Sequence, residues 1–107
     1  MIKPGVDLRP LVPQMAIAYT IACVIYRNEA NQICTITSGA EGEHKVNSLH
    51  PLGKALDFRI RTLTGVQQQT ILLALRTALG AQFDVVLEPT HLHCEFQPKE
   101  PEQVPIP

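Results

Sequence analysis

The sequence has almost no net charge to offer a partner. Nine basic and ten acidic side chains sum to −1, which excludes the basic footprint of a nucleic-acid binder or of a protein drawn to an acidic membrane. Cysteine is scarce. Cys23, Cys34 and Cys94 are odd in number and irregularly spaced, so no disulfide framework is expected and folding in a reducing compartment is the simpler reading. There is no internal repeat, and no apolar run reaches the roughly 20 residues of a membrane span. The longest, Leu11 to Tyr26, is uncharged, yet Pro10 and Pro13 at its start and Tyr19 and Thr20 within it favour a core helix over a targeting segment. What is present is 107 residues, 45% of them hydrophobic, enough to bury one small core and too few for two. Histidine is rare as well, but its four copies fall into two clusters, His44 with His50 and His91 with His93.

The pattern along the chain predicts an α+β domain with a small antiparallel sheet and two main helices. In the first helix Val12, Met15, Tyr19, Ala22 and Tyr26 recur at helical spacing while Ile17, Ile21 and Val24 cover another face, as in a helix buried on most sides. Residues 27–31 read as a polar turn, and Ile33 to Thr37, rich in β-branched residues, as a strand. The segment from Ser38 to Asn47 contains two glycines and little that is apolar, so a surface loop is expected. Ala55 to Ile60 reads as a strand with Ala55, Asp57 and Arg59 on one face and Leu56, Phe58 and Ile60 on the other. A helix over Gly65 to Leu79 is announced by the capping-box pair Thr64 and Gln67 and stopped by Gly80, with Ile71, Leu72, Leu75, Ala78 and Leu79 as its buried stripe. Phe83 to Leu87 and His91 to Phe96 read as two strands joined by a short connection. One domain over residues 1–97 is expected, followed by a proline-rich mobile tail over 98–107.

The chemistry concentrates in two segments. Ser48-Leu49-His50-Pro51-Leu52-Gly53-Lys54-Ala55-Leu56-Asp57 puts an imidazole on a loop and a carboxylate on the strand that follows. His91 and His93 alternate onto one strand face, with Cys94 turned to the other. Two imidazoles and one carboxylate with a fourth position open make the ligand set of a catalytic zinc site, and such a site holds a water whose pKa falls to about 7. Calcium or magnesium would call for mostly oxygen donors.

The string Ser48-x-His50-x-x-Gly53-x-Ala55-x-Asp57, followed by His91-x-His93, resembles the two signature motifs of the zinc peptidases grouped with lysostaphin, the D-Ala-D-Ala metallopeptidases and the hedgehog signalling domain, and is most similar to the small phage-type members. The resemblance covers about Thr37 to Phe96 and implies a hedgehog/D-Ala-D-Ala-peptidase-like fold with zinc at the sheet surface. It implies His50, Asp57 and His93 as zinc ligands, His91 as the group that stabilises the oxyanion, and His44 as a residue that binds the substrate or the same intermediate. Ser48 is grouped with His44 on the substrate side, and two readings of it stand open, a turn or cap residue that hydrogen-bonds locally and a support for the site. Glu88 is implied as the general base. Because Glu88-Pro89-Thr90-His91 also fits a Glu-Pro-x-His pattern, His91 stays open as the alternative third ligand, and Glu95, on the face of His93, as a weaker base or a supporting partner.

The activity implied is peptidoglycan peptidase, of endopeptidase or D-Ala-D-Ala carboxypeptidase type. Its substrate is a stem peptide or cross-link, with no nucleic-acid or membrane partner and a monomeric state. Synthesis in the cytosol without a signal peptide is expected, with action on the cell wall after release or as a virion component. A non-catalytic zinc-stabilised binding module of hedgehog type is the alternative. For Arg59 and Arg61 two readings stand, binding of a substrate carboxylate and simple solvation of strand ends. Cys94 is read as a small core residue, Gly53 as a positive-φ position, and Glu41, Glu43 and Lys45 as ordinary loop charges.

Overall fold

The computed structural model describes residues 1–42 and 47–98. His44 and the tail from residue 99 onward lie outside the described residues. The elements in chain order are α1 (Pro13–Ala30), β1 (Ile36–Ser38), a 3-10 turn (His50–Leu52), β2 (Ala55–Arg59), α2 (Gly65–Leu79), β3 (Phe83–Leu87) and β4 (His91–Phe96). The strands form one antiparallel sheet in the order β1-β2-β4-β3.

Helix α2 begins and ends where its caps dictate. The Thr64 hydroxyl accepts from the Gln67 backbone N–H at 3.1 Å and the Gln67 side chain accepts from the Thr64 N–H at 2.9 Å, so two amides without helical partners are satisfied together. Gly80 closes the other end with φ 76°, a conformation that favours glycine. Ile71, Leu72 and Leu75 are buried, but Ala78 is exposed, and the buried stripe continues to the half-buried Leu79 instead.

Helix α1 departs from expectation at both its faces and its end. Met15, Ala18, Ala22 and Tyr26 are buried, whereas Ile17 and Val24 are 60% and 55% exposed. Its buried side packs against α2 and the sheet, so the helix is buried along one stripe rather than on most sides. The expected turn at 27–31 is helical as far as Ala30, because nothing there breaks the backbone ladder, and Asn31 stops it in the left-handed region at φ 51°. The first strand is correspondingly shorter and later than Ile33 to Thr37. Pairing with β2 starts only at Ile36, opposite Phe58, although the Thr35 carbonyl still accepts from the Arg59 N–H at 2.9 Å. β2 ends at Arg59, and Ile60 is buried just beyond it.

One face of the sheet is core. Ile36, Leu56, Phe58, Val85, Leu92 and Cys94 meet Met15, Tyr26, Ile71 and Leu75 of the helices, and burial of such side chains contributes about 1.5–3 kcal/mol each. Tyr26 packs edge-on to Phe58 with ring centroids 6.5 Å apart, and its hydroxyl donates to the Arg59 carbonyl at 3.0 Å. That bond satisfies the one polar atom a buried tyrosine brings with it. Among the described residues the opposite face carries neither α1 nor α2, and the 3-10 turn brings His50 to it. It is ordered as rows across the strands. Asp57 and Val86 flank His93, Arg59 stands across from His91, and Ala55 and Asp84 flank Glu95.

Candidate metal centre

Three side chains from three places in the sequence meet on the open face. His50, Asp57 and His93 each offer one donor atom, all within 4.8 Å of one another, and the group can hold a metal ion. Asp57 is brought to His93 by strand pairing, since the two residues are direct partners in the β2–β4 register. Asp57 Oδ1 lies 2.9 Å from His93 Nδ1 and 3.3 Å from His50 Nε2.

His50 arrives from the loop by a tightly held turn. The His50 N–H donates to the Ser48 hydroxyl at 3.2 Å, and the Gly53 N–H donates to the His50 carbonyl at 3.0 Å. Gly53 is in the left-handed region at φ 71°, and a Cβ there would run into the Pro10 carbonyl. Its own carbonyl accepts from the Val12 N–H at 3.0 Å. Glycine is therefore needed for both backbone conformation and close approach, while Ser48 is placed to hold the backbone of His50.

Each imidazole is oriented by a partner on its far nitrogen. His50 Nδ1 donates to the Gly39 carbonyl at 2.9 Å, because a carbonyl can only accept, and this leaves Nε2 facing Asp57. His93 Nε2 stands 2.9 Å from Glu95 Oε1, which leaves Nδ1 for the cluster. Carbonyl and carboxylate partners of this kind fix the tautomer and raise the basicity of a ligating histidine.

Gly39 is itself fixed by Glu41, whose carboxylate accepts from the backbone N–H groups of Asp7 at 2.9 Å and Gly39 at 2.8 Å and from the Ser38 hydroxyl at 2.9 Å. Glu41 is thus not an ordinary loop charge. It ties the N-terminal segment to the turn that presents Gly39 to His50. Burial pushes its carboxyl upward, but these backbone and hydroxyl donors outweigh that and lower it overall. Only the three-residue spacing from Ser38 hinted at the role.

The electrostatics follow the geometry. Burial raises the Asp57 carboxyl, yet hydrogen bonds with His50 and His93 and the charges of His50 and His91 outweigh it and hold the group far below the usual carboxylate range. His93 is raised by its hydrogen bond to Asp57, with burial opposing and Glu95 adding to the rise.

His91 stands apart from the group of three. Its Nε2 is 3.7 Å from Asp57 Oδ2, Thr90 Oγ1 is 3.0 Å from its Nδ1, and its side chain is 31% exposed. Asp57 and His91 line a cleft of about 320 Å³ that opens beside the cluster. Glu88 follows β3, and its N–H donates to the His91 carbonyl at 2.9 Å. It lies one residue beyond the end of β3 and is half-buried, and the alternation of the strand, continued by that residue, points to the face of Val86 and His91. Cys94 is fully buried in the core, where burial, with the charge of Glu95 adding, pushes its thiol up to about 12.

A scan against models of known protein families gives no match, and a search of curated proteins gives none.

Proposed function

We propose that the chain is a zinc-dependent peptidoglycan peptidase with a hedgehog/D-Ala-D-Ala-peptidase-like fold. The observation that carries this reading is the convergence of His50 Nε2, Asp57 Oδ1 and His93 Nδ1 on the sheet face away from the core, each imidazole held by a partner on its other nitrogen. Two nitrogen donors and one carboxylate suit zinc, and three protein ligands leave a position for water or substrate. Zinc bound there would polarise a scissile carbonyl and acidify a water molecule at neutral pH.

The remaining work falls to side chains of the same face. Glu88, next to His91 across the strand pair, takes the proton from the attacking water and passes it to the leaving amine. His91, at the edge of the group of three and open to the cleft, donates to the oxygen on which negative charge develops. His50, Asp57 and His93 orient the centre, supported by Gly39 and Glu95. The substrates are stem peptides or cross-links of the cell wall, and the protein would reach them after release or as a virion component.

The test is digestion of purified peptidoglycan by the zinc-loaded chain, with released peptides read by mass spectrometry. Wild-type chain should release peptides, and Glu88→Ala should release none while keeping its metal. A wild-type chain that keeps zinc and cuts nothing would instead be a zinc-stabilised binding module.

A further inference from the structure

We propose that Lys3, Arg59 and Arg61 form a carboxylate-binding subsite beside the metal centre, and that the substrate carries this carboxylate about one or two residues from the bond attacked. The identity of the ligand rests on the peptidase reading; the existence of the subsite does not. All three cations line the cleft that Asp57 and His91 border. They come from three different places. Lys3 is held by its N–H, which donates to the Ile36 carbonyl of β1 at 2.9 Å. Arg59 is the last residue of β2 and the direct partner of His91. Arg61 follows in the turn after the strand.

A third of the nine basic side chains of a chain with net charge −1 thus gather in one small cleft. Among the described residues none of the three forms an ion pair. Asp57, the acid in the cleft lining, has its oxygens directed at His50, His91 and His93, and a bound cation would use its charge. Three like charges in a cleft repel one another, so the fold gains nothing from the gathering, whereas an anion entering there relieves it. Guanidinium groups match the planar fork of a carboxylate better than ammonium does, and two of the three cations are arginines.

The sheet sets the spacing. The Arg59–His91 row lies two residues along from the Asp57–His93 row, roughly 7 Å at the rise of a β-strand. An extended peptide covers about 3.3–3.6 Å per residue, so the rows stand about two residues apart and a carboxylate within that reach lies one or two residues from the bond. Two sources meet that requirement: the terminal carboxylate of a leaving residue, or the side-chain carboxylate of an acidic residue near the bond.

The experiment measures binding to the zinc-loaded chain by calorimetry or NMR. One arm compares N-acetyl-Lys-D-Ala-D-Ala with its C-terminal amide. The other compares N-acetyl-Ala-Glu-amide with its Gln counterpart. In at least one arm the acid should bind roughly tenfold more tightly than its neutral partner. The double variant Arg59→Gln/Arg61→Gln should lose that preference while retaining zinc and its unfolding temperature. Preference in the first arm supports the subsite and marks a carboxypeptidase; preference in the second supports it and marks an endopeptidase. Equal binding of acid and neutral forms in both arms overturns the proposal. So does a preference that survives undiminished in the double variant, since the two guanidinium groups would then contribute nothing to it. A wild-type chain that prefers the acid but cuts no peptidoglycan overturns the peptidase reading and leaves the subsite standing.

Discussion

Asp57 and His93 face each other across the β2–β4 pair, with Asp57 Oδ1 2.9 Å from His93 Nδ1. Their contact is made by the sheet itself, so the half of the candidate metal centre they form is as rigid as the strands that carry it. Substituting Asp57→Ala or His93→Ala should reduce zinc affinity by more than about 100-fold, beyond the 10- to 100-fold typical of losing a supporting partner. His91→Ala should leave it nearly unchanged. Competition against a chromophoric chelator measures all three, and the reverse ranking of His91 and His93 would move the third ligand to His91.

The same pair sets a pH dependence. His93 is raised above its ordinary value of 6.5, first by its hydrogen bond to Asp57, and a protonated ring cannot ligate. Zinc affinity should therefore fall with decreasing pH from a point above 6.5 rather than from 6.5 itself. For the metal-free chain the sign is opposite. A raised histidine stabilises the fold below its unfolded value, and this stability disappears as pH rises through the folded one. Asp57, held low, stabilises the fold above the ordinary 3.8 and loses that contribution on acidification below it. Thermal unfolding of both forms across the neutral range should show the metal-free midpoint falling with pH and the gap between the forms widening.

Glu41 touches no ligand, yet it fixes the carbonyl that orients His50. Glu41→Ala should weaken zinc binding by roughly 10- to 100-fold and leave the stability of the helical layer intact. Far-ultraviolet circular dichroism alongside the chelator assay separates the two effects, and unchanged affinity would remove Glu41 from the centre.

The thiols differ in access. Cys34 and Cys94 are buried and Cys23 is half-buried. Burial raises both Cys34 and Cys94 above the ordinary 9.0. The thiolate is the reactive form, so a limited dose of alkylating reagent at neutral pH should label Cys23 and spare the other two until the chain is unfolded. Mass spectrometry of the native chain checks this.

Thr64→Ala removes half of the capping box of α2 and should cost about 1 kcal/mol. Because α2 packs on the sheet face away from the metal centre, zinc affinity should not change. Denaturant titration with and without metal tests both halves of the statement.

How far the sequence could be read depended on whether each signal was local. Helix α2, β3 and β4 have the bounds expected of them, because Thr64, Gly80 and the alternation on either side of Glu88-Pro89-Thr90 act within a few residues. β1 was misplaced because a three-residue edge strand is defined by its partner, Phe58, and not by its own β-branched content. The end of α1 was misplaced because polar residues alone do not stop a helix, whereas a left-handed Asn31 does. At the site, His50, Asp57 and His93 stood out by type and spacing. Glu41 did not, because its donors Asp7 and Gly39 come together only in the folded chain. The gathering of Lys3 with Arg59 and Arg61 was hidden for the same reason, since they lie more than half the chain apart.

β4 alternates between two duties: Leu92 and Cys94 enter the core, and His91, His93 and Glu95 face the centre. A slip of one residue against either neighbour would drive three ionisable side chains under the helices and put the two buried ones in water. The wrong alignment of the chemistry is thus also the wrong alignment of the core, and the hydrophobic layer proofreads a site that it never touches.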